Sequence, residues 1–183
     1  MEFPKYYSAG FTLLELLIGL AITSILLTIA IPGFNSILNR NHVASSVNGF
    51  VSSLHFARSE AVSREEWITM CPSIDGVNCV ADYTGWSKGY IIFANADKDR
   101  DHDESEAILG VYQDSSDQIV VHTSSDHRNV ITYRPSGRAW GYNTTVRFCL
   151  PESSSHNRAI IIATTGRPRL SNLMPDGKLI TCE

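Results

Sequence analysis

The sequence predicts an α+β protein in which one long N-terminal helix packs on a mostly antiparallel β domain. Three features predict this class: an apolar run from Phe11 to Ile31, apolar side chains at helical spacing after it, and short β-branched runs separated by turn residues after Trp67. The chain has 183 residues, of which 43% are hydrophobic and 19% are charged. This composition is too apolar for a disordered chain and too irregular for collagen or a coiled coil.

The first element is a candidate membrane-spanning helix at residues 11–32. Its apolar run contains 21 residues with 15 apolar side chains and one charge, Glu15. As a helix it is about 32 Å long, which is enough to cross the hydrocarbon core of a bilayer. A cleaved secretory signal fits poorly, because the run is too long and no small-residue cleavage site follows it. An ordinary anchor fits the length but leaves Glu15 unexplained, since a carboxylate at the centre of a spanning helix costs roughly 2.5–3.5 kcal/mol and less towards the interface.

The stretch Gly10-Phe-Thr-Leu-Leu-Glu15, followed by this apolar helix, resembles the processing motif of type IV pilins. The resemblance implies that residues 1–10 are a leader, that a prepilin peptidase cuts between Gly10 and Phe11, and that Phe11 is then N-methylated. It also gives Glu15 a partner, the terminal amine of a neighbouring subunit, and a buried carboxylate is tolerated when it is paired with a cation. A single-pass inner-membrane protein with a periplasmic C-terminal domain is implied, and later an extracellular pilus.

The second half of the helix, residues 33–65, is predicted to be amphipathic, with one apolar stripe from about Phe34 to Val62. Proline at position 32 is expected to kink or end the preceding helix. The stripe is formed by apolar residues spaced three and four apart: Val47, Phe50, Val51, Leu54, Ala57, Ala61 and Val62. We expect this stripe to face the core of a soluble domain.

Residues 66–183 are predicted to form the periplasmic β domain. Its strands are short runs rich in β-branched and aromatic residues, bounded by Gly, Pro, Asn, Asp and Ser. Seven such runs are found: Trp67–Cys71, Gly89–Phe93, Ala107–Tyr112, Gln118–His122, Asn129–Tyr133, Thr144–Leu150 and Arg158–Ala163.

The four cysteines suggest disulfides in an oxidising compartment. Of the three possible pairings we favour Cys71–Cys79, which is local, and Cys149–Cys182, which would tie down the C-terminus. A zinc site is the alternative, but it lacks the usual two-residue spacing between ligands.

An acidic loop at residues 95–106 has six acids and two bases. Oxygen-bearing side chains occupy the ligand positions of an EF-hand loop, but Arg100 stands where the sharp turn needs glycine, and strands flank the loop. A solvated hairpin loop is therefore favoured over a Ca²⁺ site. We predict neither a metal nor another cofactor. An enzyme is not predicted either, because the six histidines are scattered and form no catalytic spacing with Ser, Cys or Asp.

The whole chain is similar to the FimT/FimU minor pilins and the related H-type pseudopilins of type II secretion. The supporting segments are His55–Val62, Gly85–Phe93, the acidic loop and Thr165–Arg169. The resemblance implies a minor subunit that joins other major and minor pilins, near the pilus tip, and supports pilus assembly. A pseudopilin of a type II secretion system is the alternative.

FimT-like proteins carry a C-terminal Gly-Arg-x-Arg-x-Arg motif that contacts DNA, and the resemblance extends it to Gly166, Arg167 and Arg169. The third arginine of the motif is replaced here by Ser171. Two guanidiniums two residues apart on an extended segment point the same way and can bind phosphates of double-stranded DNA. Such binding, which would serve DNA uptake in natural transformation, is independent of sequence and sensitive to salt. The alternative is that both arginines are solvated or paired with carboxylates. Three further bases are candidates to extend the site: Arg147, Arg158 and Lys178.

Overall fold

The computed structural model describes residues 11–82, 85–113, 118–123, 129–141, 143–151 and 154–181, without the side chains of residues 30–33. The predicted leader and Gly10 therefore lie outside the described residues. One helix, α1 (Leu13–Arg64), precedes the strands and accounts for 52 residues. The chain divides into two compact units, one ending at Leu38 and one beginning at Asn39. The predicted α+β class, with one long N-terminal helix and antiparallel sheets, is confirmed.

The backbone of α1 continues through Pro32, so the helix does not end there as one reading of the sequence expected. Burial on α1 starts later than predicted. Phe34 is 62% exposed and Val62 is 51% exposed, so the predicted stripe from Phe34 to Val62 is too long at both ends. The buried residues of the helix recur every three or four positions: Val43, Val47, Phe50, Leu54, Ala57 and Ala61.

Eight strands follow α1 in the described residues and form two antiparallel four-stranded sheets. The strands are β1 (Ile68–Pro72), β2 (Gly89–Ala94), β3 (Ile108–Gln113), β4 (Val120–Thr123), β5 (Ile131–Tyr133), β6 (Thr144–Cys149), β7 (Arg158–Ile162) and β8 (Pro168–Ser171). The first sheet has the order β3-β2-β1-β5, and the second has the order β4-β6-β7-β8. Short 3-10 helices lie at Gly85–Ser87 and Ser154–His156.

The core of the second unit lies between α1 and both sheets. Phe50 of α1 makes edge-to-face contacts with Trp86, Tyr90 and Phe148, with ring centroids 5.2–5.5 Å apart. These contacts join the helix to β2 of the first sheet and β6 of the second. Aromatic pairs of this kind contribute about 0.5–1.5 kcal/mol each beyond their buried area. The helix therefore fixes the positions of both sheets.

Each sheet has a second face that points away from α1, because side chains alternate along a strand. On the first sheet this face buries Cys71, Ile91 and Phe93. A disulfide joins Cys71 to Cys79, which is the local pair favoured from the sequence. On the second sheet, Cys149 is buried beside Ile180 and is also disulfide-bonded. Its predicted partner, Cys182, lies outside the described residues.

The acidic loop between β2 and β3 is stabilised by hydrogen bonds between its own residues. The Glu106 carboxylate accepts hydrogen bonds from the amides of Ala96, at 2.7 Å, and Asp103, at 3.3 Å. The rings of His102 and Phe93 make an edge-to-face contact, with centroids 5.2 Å apart. Among the residues described, no group of three or more His, Cys, Asp or Glu side chains is placed to hold a metal ion.

Candidate functional site

The first turn of α1 is fixed by Thr12, whose hydroxyl oxygen accepts a hydrogen bond of 3.2 Å from the backbone amide of Glu15. This is the N-cap arrangement, in which a threonine satisfies one of the amides that the first turn leaves free. Glu15 is exposed in that turn, where a negative charge is favoured by the helix dipole. Phe11, the predicted first residue after cleavage, is 84% exposed.

The first half of α1 is apolar and unburied. Every described side chain from Phe11 to Ile29 is exposed, and an 18-residue window of the helix has a mean hydropathy of 2.4. Besides Thr12, three hydroxyls interrupt the run, and each donates to a carbonyl of the preceding turn at 2.7–2.8 Å: Thr23, Ser24 and Thr28. Such internal hydrogen bonds satisfy polar groups where no water is present. By length and composition the helix can span a bilayer.

The predicted arginine site lies on and beside β8, the outermost strand of the second sheet. Arg167 precedes the strand, Arg169 is paired in register with Ile161 of β7, and both arginines are exposed. Among the described residues, neither guanidinium forms a hydrogen bond or an ion pair. β8 was not among the seven predicted strands. Pro168 begins it, which is tolerated because the first residue of an edge strand needs no ladder donor.

Gly166 connects β7 to β8 through a tight turn. Its φ is +77°, a conformation that favours glycine, and its amide donates to the carbonyl of Ala163 at 2.8 Å. A β-carbon on Gly166 would overlap the carbonyl oxygen of Gly137 and lie 3.2 Å from the amide nitrogen of Ala139. The turn therefore packs directly against the loop that follows β5.

The three additional bases predicted for the site each have a partner in the structure. Arg147 of β6 shares the outer face of the sheet with Arg169, but its guanidinium donates to the carbonyl of Thr181 at 2.7 Å. Lys178 pairs with Asp176 at 3.1 Å. Both groups hold the C-terminal segment in place.

Arg158 lies on the opposite face of the sheet from Arg169. In register it pairs with Phe148, whose side chain faces α1, and its guanidinium donates to the carbonyl of Asn157 at 2.8 Å. The structure therefore does not bring Arg158 together with Arg169 on one face of the sheet. Sequence spacing did not single out Arg138, an exposed arginine whose backbone lies between the two atoms that Gly166 meets.

Comparison with known proteins gives the family. A family model described as type II transport protein GspH matches residues 46–166, about two thirds of the chain. The chain belongs to the GspH family. A second model, the prokaryotic N-terminal methylation motif, matches residues 5–31 of this GspH-family protein. No curated protein sequence matches the chain significantly.

Solved structures share the fold. Two crystal forms of the type IV minor pilin FimU from Pseudomonas aeruginosa strain PAO1 match with TM-scores of 0.58 and 0.55 at 22% identity. They cover 77% and 75% of this chain, and 94% and 96% of FimU. The minor pseudopilin EpsH of the Vibrio cholerae type 2 secretion system matches with a TM-score of 0.48 at 9% identity, over 70% of this chain and 95% of EpsH.

The predicted relation to the minor pilins and H-type pseudopilins is confirmed by the two family models, and the FimU structures show that the fold is shared. The methylation motif and the apolar helix fit a pilin anchored in the inner membrane. The GspH match ends at Gly166, one residue before Arg167, so the two exposed arginines lie beyond it. The family consists of structural subunits, and its members act by assembling with other pilins.

Proposed function

We propose that this GspH-family chain is a minor pilin that is cut between Gly10 and Phe11, held in the inner membrane by α1, and then incorporated into a type IV pilus near its tip. The observation that carries the proposal is the exposed apolar surface of α1 from Phe11 to Ile29. A surface this apolar is stable only in lipid or against other apolar helices. During assembly α1 leaves the lipid and packs against the apolar helices of other subunits.

Glu15 is the residue that we propose makes the packing of α1 against neighbouring subunits specific. It is the only charged residue between Phe11 and Asn39, and the hydroxyls nearby are satisfied within their own helix. A carboxylate among packed apolar helices needs a cation, because an unpaired charge there is strongly destabilising. The ammonium of Phe11 in a neighbouring processed subunit is such a cation, since an α-amino group has a pKa near 7.7–8.0.

The test is incorporation of Glu15 variants into pili in a strain that lacks the native gene. Glu15→Gln and Glu15→Leu each remove the charge, and Glu66→Gln removes an exposed charge outside the apolar run. We expect both Glu15 variants to be depleted from the sheared pilus fraction on immunoblots, with Glu66→Gln incorporated normally. Normal incorporation of Glu15→Leu contradicts the proposed pairing.

A second function, binding of double-stranded DNA during natural transformation, is supported by Arg167 and Arg169. Both guanidiniums are exposed and have no partner among the residues that the structure describes. They lie two residues apart at an edge strand, a separation of about 7 Å. Arginine binds phosphates in a bidentate manner and stays charged at all relevant pH values. Phosphate contacts position a protein on DNA without reading its sequence.

We test DNA binding with the full-length protein in a non-ionic detergent and a labelled duplex, measured by fluorescence anisotropy at several salt concentrations. Binding that neutralises Z phosphates gives a slope of about −0.9Z for log K against log salt. Arg167→Gln and Arg169→Gln should each weaken binding for all sequences and reduce the slope. Equal affinity of the double variant and the wild type rules out this site.

The alternative filament is a type II secretion pseudopilus, which the description of the family model favours. Anchoring by α1 and pairing through Glu15 would operate in the same way there. Deletion of the gene separates the two filaments. Loss of surface pili with intact protein secretion supports the pilus, and loss of secretion with intact pili supports the pseudopilus.

A further inference from the structure

We infer that Arg138 is a third phosphate-binding residue of the arginine site, and that it supplies from the β5–β6 loop the guanidinium that the C-terminal motif lacks at Ser171. The inference rests on the proposed binding of double-stranded DNA by Arg167 and Arg169. It adds a separate part of the chain to that surface. The partner remains the sugar–phosphate backbone of a duplex.

The contact between two turns places Arg138 beside Arg167. Gly166 meets the carbonyl oxygen of Gly137 and the amide nitrogen of Ala139, which are the groups on either side of Arg138 in the chain. The backbone of Arg138 therefore lies against Gly166. Arg167 is the next residue after Gly166, about 3.8 Å further between α-carbons.

The loop that carries Arg138 is itself held in place. The carbonyl of Arg138 accepts a hydrogen bond of 2.9 Å from the amide of Arg134, and Gly137 donates to the carbonyl of Arg134 at 2.8 Å. An isolated bridge joins Tyr133 to Ala139. Tyr133 is fully buried, so the loop starts from the core of the second unit. The position of Arg138 is therefore fixed by backbone contacts on both sides.

Arg138 is an available cation. It is exposed, and among the described residues its side chain has no hydrogen bond and no carboxylate partner. Two other arginines lie close to this loop, but their guanidiniums pack against other residues. Arg134 lies over the ring of Trp67 at 5.4 Å, and the guanidinium of Arg58 packs beside Gly137, where a β-carbon would be 3.2 Å from its Nε. Their charges add to the positive potential at Arg138.

By contrast, Ser171 is not free to act as a substitute for the missing arginine. Its hydroxyl donates to the carbonyl of Leu173 at 2.7 Å and accepts from the amide of Leu173 at 3.2 Å. In register, Ser171 lies in one row with Ala159 and Arg147. Since Arg147 is bound to the C-terminal segment, the described residues offer no free guanidinium at this end of β8. The cationic surface extends from Arg169 through Arg167 towards Arg138 instead.

The experiment compares single variants of the full-length protein in non-ionic detergent with a labelled duplex over a series of salt concentrations. Arg138→Gln is the test, Arg167→Gln is the positive reference, and Arg158→Gln is the matched control on the opposite sheet face. Loss of one charged hydrogen bond should weaken binding about tenfold. Loss of one phosphate contact should also reduce the salt slope by about 0.9.

We expect Arg138→Gln to match Arg167→Gln in both readouts, with Arg158→Gln equal to the wild type and Arg138→Lys recovering the salt slope. If Arg138→Gln equals Arg158→Gln while Arg167→Gln binds weakly, the inference is overturned and the proposed DNA site stands. If the wild type does not bind the duplex at low salt, both are overturned. Thermal unfolding of each variant, followed by tryptophan fluorescence, establishes that the fold is retained.

Discussion

The hydroxyl groups of Ser53 on α1 and Tyr90 on β2 lie 2.9 Å apart and share a hydrogen bond. The Tyr90 ring packs against Phe50 and stacks on Tyr112, with centroids 5.2 and 5.0 Å away. Burial raises the pKa of Tyr90 to about 12, although the hydrogen bond to Ser53 opposes the shift. The same side chain therefore connects the helix to the first sheet, and its burial disfavours the ionised form.

This raised pKa predicts a loss of stability at high pH. In the unfolded chain a tyrosine ionises near pH 10, so between pH 10 and about 12 the unfolded state binds fewer protons than the folded state. The free energy of unfolding should fall across this window, by at most about 1.4 kcal/mol per pH unit for one group. Burial raises the pKa of Tyr133 as well, which adds to the fall. Urea unfolding at several pH values measures it, and Tyr90→Phe should lose stability less steeply. Identical slopes for variant and wild type would show that Tyr90 is not the titrating group.

Two glycines predict opposite effects of the same substitution. Gly49 is exposed in the interior of α1, and no atom of the described residues lies within 4 Å of an added β-carbon. Gly49→Ala should therefore stabilise the protein by about 1 kcal/mol. Gly166 has a φ of +77° and meets the carbonyl oxygen of Gly137. Gly166→Ala should therefore destabilise the protein by at least about 1–2 kcal/mol. Thermal unfolding followed by tryptophan fluorescence compares the two variants. A higher melting temperature for Gly166→Ala would contradict the described turn.

The disulfide between Cys71 and Cys79 predicts a moderate contribution to stability. The two residues are separated by 8 positions in sequence, and closing so short a loop in the unfolded chain is worth about 2–3 kcal/mol in the entropic model. The double variant Cys71→Ala/Cys79→Ala, with alanine chosen because Cys71 is buried, should lose that amount in urea unfolding. An unchanged free energy of unfolding would mean that the loop is held by other contacts. The Asp75 carboxylate, which accepts hydrogen bonds from the amides of Val77 and Asn78, is the first candidate.

The sequence predicts the long helix and seven of the strands because both follow from local periodicity. The limits of the buried stripe are harder to predict. Phe34 and Val43 are both apolar, but Phe34 is exposed and Val43 is buried in the core of the second unit. The spacing of apolar residues indicates which side chains avoid water. It does not indicate whether lipid, another subunit or the core of the domain covers them. β8 was missed because Pro168 argues against a strand interior, whereas an edge strand accepts proline at its first position.

The arginine site was predictable only in its local part. Arg167 and Arg169 belong to one motif, and their exposure follows from their place at an edge strand. The placement of Arg158 on the other face of the sheet could not be predicted, because the face to which a strand residue points depends on the register with its neighbours. The approach of Gly166 to Gly137 joins two turns that are far apart in sequence, so no spacing rule predicts that Arg138 lies beside Arg167.

The central proposal is that the chain is processed as a pilin, and the mass of its N-terminal peptide tests this most directly. The full-length chain is expressed with a prepilin peptidase, purified from membranes, and digested for mass spectrometry. The predicted N-terminal peptide begins with N-methylated Phe11, and it should disappear when the peptidase is inactive. A chain that still begins at Met1 in the presence of the active peptidase, or that begins at a residue after Phe11, would contradict the account.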